Sequence, residues 1–464
     1  MIKRFLSSQL RINMASGTAT TVINTVVMLV AYPIYLHFLG YEKYGVWLVL
    51  TTVLTFAQLG DIGISQAIMK LVAEDYGRKD IKGIQRYVTT ALTMLSVSGI
   101  IMLSVILAFK TQIIALFKLN DENVGMAAWL LPYIGILSIY VFTVQALNAT
   151  LSGLGRMDLA NYIKSIGKIA AVTVATVLLY NGRGIESLLI GNILSYAFIQ
   201  IASLICIRRI AAIRLLRLDN LDVQRGKHLL RFGGAVFGGS LISMFLSPFN
   251  KIILSRYAGV STIPVYEIAF NGSMQIRALF EAGLRAMMPE ISRIGANMTS
   301  YTKDRISQLN YHTMKLIFFF GIPIYGILAI LGPSLLRAWL GDRFVETLPE
   351  AFRIMLIGTF LSLLCVPAYY TLMGLGRVNH CFLSQVIQGI VNVGIVGVII
   401  LFVRTISIKT IALAVAFAML ATSFYVIWQY QRAIRKLILT SGKSRIEPLG
   451  DATVSQAACA SSDG

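Results

Sequence analysis

Glu267, Arg277, Glu281 and Arg285 sit inside an otherwise apolar run, Ile263–Pro289, that is long enough to cross a bilayer as one helix. An ionised side chain at mid-bilayer costs roughly 2.5–3.5 kcal/mol on insertion scales. Such charges must face water, one another or a polar ligand. At ~100° per residue, Glu267, Asn271, Glu281 and Arg285 share one face, and Gln275 and Arg277 flank it. Arg277/Glu281 and Glu281/Arg285 have the i, i+4 spacing at which opposite charges meet on a helix. The chemistry open to this face is recognition rather than bond-making. Arginine grips a phosphate through two parallel N–H donors, carboxamides bind sugar hydroxyls, and a carboxylate takes up a proton or a cation. The competing structural reading is a buried ion-pair stripe that only fixes helix packing. A polar cavity is favoured, because ionisable groups inside the membrane default to function.

Three other spans carry matching polar faces. Asn13, Gly17, Thr20 and Asn24 align in the first; Thr51, Thr55, Gln58 and Ser65 align in the second, flanked by Asp61 and Gln66. In the seventh span Ser240, Ser247 and Lys251 align, with Ser243 and Asn250 beside them. Any single Ser or Thr is accounted for by an interhelical hydrogen bond of ~0.6 kcal/mol, but the charged members point to one shared polar space. An anionic headgroup there would need Arg277, Arg285 or Lys251, but three carboxylates balance these three cations and charge counting leaves the sign of the ligand open; Asp61, Gln58, Asn24, Asn271 and Gln275 are the further polar groups on these faces. Glu267, Glu281 or Asp61 would carry a coupling proton or sodium ion; no other cofactor is expected.

The elements that must hold these groups are membrane helices. The chain of 464 residues is 56% hydrophobic and only 13% charged, with a mean hydropathy of +0.73; soluble domains carry about 25% charged residues. The sequence predicts an all-α polytopic membrane protein of about twelve spans of ~20 or more residues, the length a ~30 Å hydrocarbon core requires: 12–36, 46–70, 84–109, 126–151, 160–181, 185–207, 229–254, 262–289, 314–336, 350–373, 381–403 and 408–430. Most of the 41 Lys and Arg residues fall in alternate connections: the N-terminus, the 70–86 loop, the 156–168 connection, the 208–231 stretch, Arg293 to Lys315, Arg377 and the segment after 430. Positive residues mark the cytoplasmic side, so both termini are expected there. That distribution makes the net charge of +20 a topology signal and an attraction to anionic membrane lipid, and argues against nucleic acid. The Met1–Arg11 segment reads as the start of a retained first helix rather than a cleaved leader.

The basic stretch 208–228 divides the chain into an N-terminal lobe, 1–207, and a C-terminal lobe, 229–440, of six helices each. The polar, non-periodic tail 441–464 reads as disordered. The lobes resemble each other. Leu151-Ser-Gly-Leu-Gly-Arg156 matches Leu372-Met-Gly-Leu-Gly-Arg377, Asp61-Ile-Gly63 faces Glu281-Ala-Gly283, and Leu39-Gly40 faces Ala258-Gly259, at nearly constant offset. An even number of spans per lobe gives a parallel repeat about an axis along the membrane normal, with a ligand site expected between the halves. The Gly-Leu-Gly-Arg segments read as helix-ending turns, and no Walker A motif is present for ATP binding.

Tyr44-Gly-Val-Trp47, then Leu59-Gly-Asp-Ile-Gly-Ile-Ser-Gln66, Glu74 and the basic Arg78–Lys82 loop resemble the oligosaccharide flippase family (polysaccharide biosynthesis proteins of the Wzx type, in the multidrug/oligosaccharidyl-lipid/polysaccharide flippase superfamily). The resemblance implies a V-shaped bundle of two six-helix lobes. It also implies transport of an undecaprenyl-pyrophosphate-linked glycan, such as an O-antigen repeat unit of lipopolysaccharide, across the bacterial inner membrane. The polysaccharide polymerase and chain-length machinery are the partners it implies. Members often carry an acidic-basic pair late in helix seven, where this chain has Asn250-Lys251.

Two other readings compete. A multidrug/cation antiporter of the same superfamily would use a carboxylate as its ion site, which sits poorly with the cations on the same faces. A membrane glycan polymerase or glycosyltransferase usually needs a sizeable extramembrane loop, whereas the longest outer connection here, near 337–350, is short. The expectation is therefore a transporter and not an enzyme.

Overall fold

The computed structural model describes residues 8–61, 63–211, 221–284, 287, 291, 302–403 and 405–443. All regular structure among them is helical. Helix α1 (Ser8–Ala57) is two segments joined at Gly40, whose φ of 68° and ψ of 178° lie in a region essentially reserved for glycine. A 3₁₀ turn (Gln58–Asp61) leads into α2 (Ile64–Gly77), followed by α3 (Ile81–Ala108), the short α4 (Lys110–Phe117), α5 (Asp121–Gly153), α6 (Met157–Tyr180) and α7 (Glu186–Ala211). The second half comprises α8 (Val223–Ala258), α9 (Thr262–Leu284), α10 (Thr302–Leu316), α11 (Ile322–Leu340), α12 (Thr347–Leu363), α13 (Val366–Gly374), α14 (Val378–Val398) and α15 (Ile408–Lys443). Among the described residues, nine helical stretches are long and apolar enough to cross a membrane, the longest being Ala15–Phe56. The chain is thus a multi-pass helical membrane protein. Arg285 and the tail beyond Lys443 lie outside the described residues.

Two of the expected spans are interrupted. Residues 46–70 do not form one helix: α1 stops at Ala57, and Gly63 takes a left-handed φ of 71° before α2 begins. Asp61 caps this restart, its Oδ1 accepting from the Ser65 backbone N–H and hydroxyl at 3.0 Å each. Glu281-Ala-Gly283, paired with this segment in sequence, stays within α9. Residues 350–373 break at Leu364–Cys365, immediately before α13, whose first turn contains Pro367; at such a start the missing N–H of proline costs no helical hydrogen bond.

The paired Gly-Leu-Gly-Arg segments close their helices in the same way. Gly155 (φ 78°) and Gly376 (φ 74°) are both left-handed. The Arg156 N–H bonds to Leu151 O at 2.9 Å and the Arg377 N–H to Leu372 O at 2.8 Å. With the Gly155–Ser152 and Gly376–Met373 bonds, each is a Schellman stop that satisfies the last carbonyls of its helix.

Packing differs between the two ends of the bundle. One buried cluster joins both halves and extends through the second; at the end away from the basic loops it sets Leu36, Leu39, Trp47 and Val49 from α1 against Leu254, Val260, Ile263 and Tyr266. Gly45 lies so close to Val260 that a Cβ there would stand 2.2 Å from its carbonyl oxygen. Trp339 Nε1 donates to Leu29 O at 2.8 Å and Arg343 to His37 O at 2.9 Å. At the basic end the N-terminal half has its own cluster, built on Ile68, Val72, Ile84 and Leu147, to which the second half adds Leu229 of α8. There α8 rests on α2 and α3. Arg225 reaches Asp75 at 3.1 Å and Gly83 O at 3.0 Å and lies over the Tyr87 ring, while His228 meets the Tyr87 hydroxyl at 3.0 Å.

A Cβ at Gly63 would fall 2.2 Å from Gly233 O, on a backbone already at positive φ. Gly63→Ala is therefore expected to destabilise the protein by about 1–2 kcal/mol from the left-handed conformation alone, and by more from the clash with α8. Gly77→Ala, where nothing lies within 4 Å, should leave the thermal midpoint of the detergent-solubilised protein unchanged. Equal midpoints for the two variants would remove the constraint assigned to Gly63.

Candidate functional site in the membrane-spanning bundle

The polar face of α9 is paired along its length with groups on other helices. At its start Lys251 Nζ of α8 lies 2.8 Å from Glu267 Oε2, with the two side chains only 9% and 14% exposed. Glu267 Oε1 also accepts from Asn271 Nδ2 at 3.0 Å, and the same carboxamide donates to the Tyr32 hydroxyl of α1 at 3.2 Å. Beside this group Asn250 donates to the Tyr266 hydroxyl and accepts from Asn392 of α14 at 2.9 Å. One turn further along α9, Gln275 Oε1 accepts from Thr25 Oγ1 of α1 at 3.1 Å. The result is a polar seam that ties α1, α8, α9 and α14 together.

Beyond the seam the face opens. Arg277 Nε stands 3.8 Å from Glu281 Oε2, too long for a hydrogen bond, and this buried Nε has no hydrogen-bond partner among the described residues. Glu281 Oε1 accepts from the Tyr370 hydroxyl of α13 at 3.2 Å. Both residues line a cavity of about 330 Å³ enclosed by α8, α9, α12, α13, α14 and α15. Its polar wall includes Tyr369, Gln385, Gln388 and Thr422.

The sequence-derived candidates therefore separate into groups. Lys251, Glu267, Asn271 and Gln275 form the seam, and Arg277 and Glu281 face the cavity. Asp61 spends its described hydrogen bonds on its own turn. Asn24 is half-buried on α1 next to Thr25. Gln58 belongs to the 3₁₀ turn, its side chain outside the described set, and Arg285 lies outside the described residues. Sequence reasoning missed Tyr32, Tyr370 and the α14 carboxamides. A signal for the last was present: Gln385, Gln388 and Asn392 recur at three- and four-residue spacing in an apolar helix, the same pattern that marked α9.

A charge stranded by removing one partner of a buried pair destabilises by roughly 3–5 kcal/mol, whereas replacing both partners is often neutral. Lys251→Met should sharply lower the protein level in membranes and the thermal midpoint, and Lys251→Met/Glu267→Gln should restore both. A double variant as poor as the single one would show that the pair does more than neutralise itself.

Comparison with known proteins bears on what this arrangement serves. A family model described as polysaccharide biosynthesis protein matches residues 37–349. A Shigella flexneri protein named "Putative O-antigen transporter" is 21% identical over 345 residues, which cover 73% of this chain and 78% of that protein. Among solved structures, an inward-facing multidrug resistance MATE family transporter of the MOP superfamily aligns with a TM-score of 0.72 at 13% identity, covering 94% of this chain and 97% of the other. The lipid II flippase MurJ in an inward closed conformation also gives 0.72, at 16% identity, covering 92% and 91%. An outward-facing MATE family transporter gives 0.63 at 16% identity, covering 94% and 98%. These likenesses establish a shared helical fold, and the family match covers most of the chain: the protein belongs to the polysaccharide biosynthesis protein family.

Proposed function

We propose that this chain is a flippase that moves an undecaprenyl-pyrophosphate-linked oligosaccharide, an O-antigen or related surface-polysaccharide repeat unit, across the bacterial inner membrane by alternating access. The observation that carries the reading is the α9 face. A membrane-spanning helix in a polysaccharide biosynthesis protein presents Arg277, Glu281 and a polar cavity inside the bundle. The hydrophilic glycan and pyrophosphate would follow this polar interior while the polyprenyl tail stays in lipid. Names borne by related proteins, an O-antigen transporter and a lipid II flippase, agree with a lipid-linked glycan as cargo.

In this reading the chain is two lobes related by a parallel repeat, with about twelve spans and both termini cytoplasmic. Backbone evidence in favour is the pair of like Schellman stops at Gly155 and Gly376, and the positive φ shared by Gly40 (68°) and Gly259 (89°). The part of the shared buried cluster where Leu36, Leu39, Trp47 and Val49 meet Leu254, Val260, Ile263 and Tyr266 would be the closed gate of an inward-directed state. The carboxylate best placed to carry a coupling proton or sodium ion is Glu281, because Glu267 is engaged by Lys251 and Asn271. The polysaccharide polymerase and chain-length machinery would take up the flipped unit.

Arg277→Ala, expressed at normal level in the native host, should reduce surface glycan roughly tenfold or more, the effect of losing one charge-assisted hydrogen bond. The lipid-linked precursor should then be trapped on the cytoplasmic leaflet, and Arg285→Ala should behave alike. Normal surface glycan in both would remove the arginines from the path. Exported but unpolymerised repeat units would point to a polymerase instead.

A further inference from the structure

We infer that the cavity between α9 and α14 is a selectivity subsite for one neutral sugar ring of the cargo, read by the carboxamide of Gln388. This deepens the flippase reading and rests on it. Size comes first. About 330 Å³ is at the small end of the 300–1,000 Å³ found for small-molecule pockets, so the cavity takes one ring and the remainder of a glycan must lie outside it. Charge comes next. Arg277 and Glu281 face the space 3.8 Å apart, so the described wall carries one charge of each sign. That balance favours a neutral ring over a phosphate or a uronic acid seated in the cavity.

The hydrogen-bonding inventory then selects the ligand. The serine and threonine hydroxyls of the wall donate to helix carbonyls: Ser362 to Thr359 O, Ser384 to Cys381 O, Thr422 to Ala418 O and Ser423 to Met419 O, while the Tyr369 hydroxyl is bonded to the Gln385 side chain. The serine and threonine hydroxyls retain lone pairs and can only accept from a ligand. No hydrogen bond engages the Gln388 carboxamide among the described residues, and none engages the buried Arg277 Nε. Gly389 in the wall next to Gln388 leaves room for approach, and Tyr369 and Phe270 supply aromatic surface. A wall of acceptors with a few donors, aromatic edges and no net charge matches a polyhydroxylated ring, with or without an acetamido group.

The test uses purified full-length protein in lipid nanodiscs. Methyl glycosides of neutral hexoses, of N-acetylhexosamines and of hexuronic acids are the probes, and ligand-observed saturation-transfer NMR is the readout. One neutral glycoside is expected to bind, and Gln388→Leu should weaken it roughly 2- to 10-fold, the worth of one neutral hydrogen bond. Gln388→Asn, which keeps the carboxamide, should retain part of the binding and guards against a folding defect. In the host, Gln388→Leu should slow export of the precursor at normal protein level. Binding of hexuronic acids alone, of no glycoside, or binding indifferent to Gln388→Leu would overturn the subsite. If the host lacking this chain strands its precursor in any of those cases, the flippase reading survives. If that host exports the precursor normally, the flippase reading fails and the pocket is no cargo subsite, whatever it binds.

Discussion

The hydrocarbon core of a bilayer offers no water to a polar group, and the second half of this protein is arranged around that fact. Lys251 and Glu267 neutralise each other at 2.8 Å, and the surrounding Asn250, Asn271, Tyr32 and Tyr266 complete a hydrogen-bonded cluster. Because the partners sit on α1, α8 and α9, satisfying the charges also fixes how three helices meet. The same requirement ends helices with Schellman turns at Gly155 and Gly376, where backbone carbonyls would otherwise be orphaned.

Helix α8 links two environments. Its first turns are held on α2 and α3 by Arg225, His228 and the close approach of Gly233 to Gly63. Its later turns belong to the polar seam with α9 and α14. This helix also carries Pro248, a residue that removes one backbone hydrogen bond and lowers the cost of bending. Contacts between the halves near Trp339 and Arg343 and the bridge at Arg225 lie at opposite ends of the bundle.

The polar interior divides by strength of pairing. Most groups in the seam are engaged by fixed neighbours, Glu267 Oε2 by the Lys251 ammonium at 2.8 Å, and serve to position helices; Asn392 Oδ1 is the seam atom left without a hydrogen-bond partner among the described residues. Groups at the cavity keep unfilled capacity: Arg277 Nε lacks a partner among the described residues, and its carboxylate neighbour is shared with Tyr370. A transporter needs that contrast, since a binding group already satisfied by the protein has nothing left to offer a passing ligand.

The sequence by itself determined the class of protein, because mean hydropathy and span length are one-dimensional properties. It also determined the α9 face, because helical periodicity places Glu267, Asn271 and Glu281 together without reference to any other helix. The Gly-Leu-Gly-Arg turns were legible for the same reason: a left-handed stop is a local event. Tertiary structure decided which polar groups pair. Lys251 and Glu267 are separated by a helix-helix turn, and Gln275 meets Thr25 across 250 positions; no periodicity encodes such distances. It also decided that residues 46–70 break, since the left-handed Gly63 is matched to the backbone of Gly233, far away in the chain. The cavity beside Arg277 arises only where six helices converge, so the carboxamides of α14 gained meaning once α9 was seen to face them.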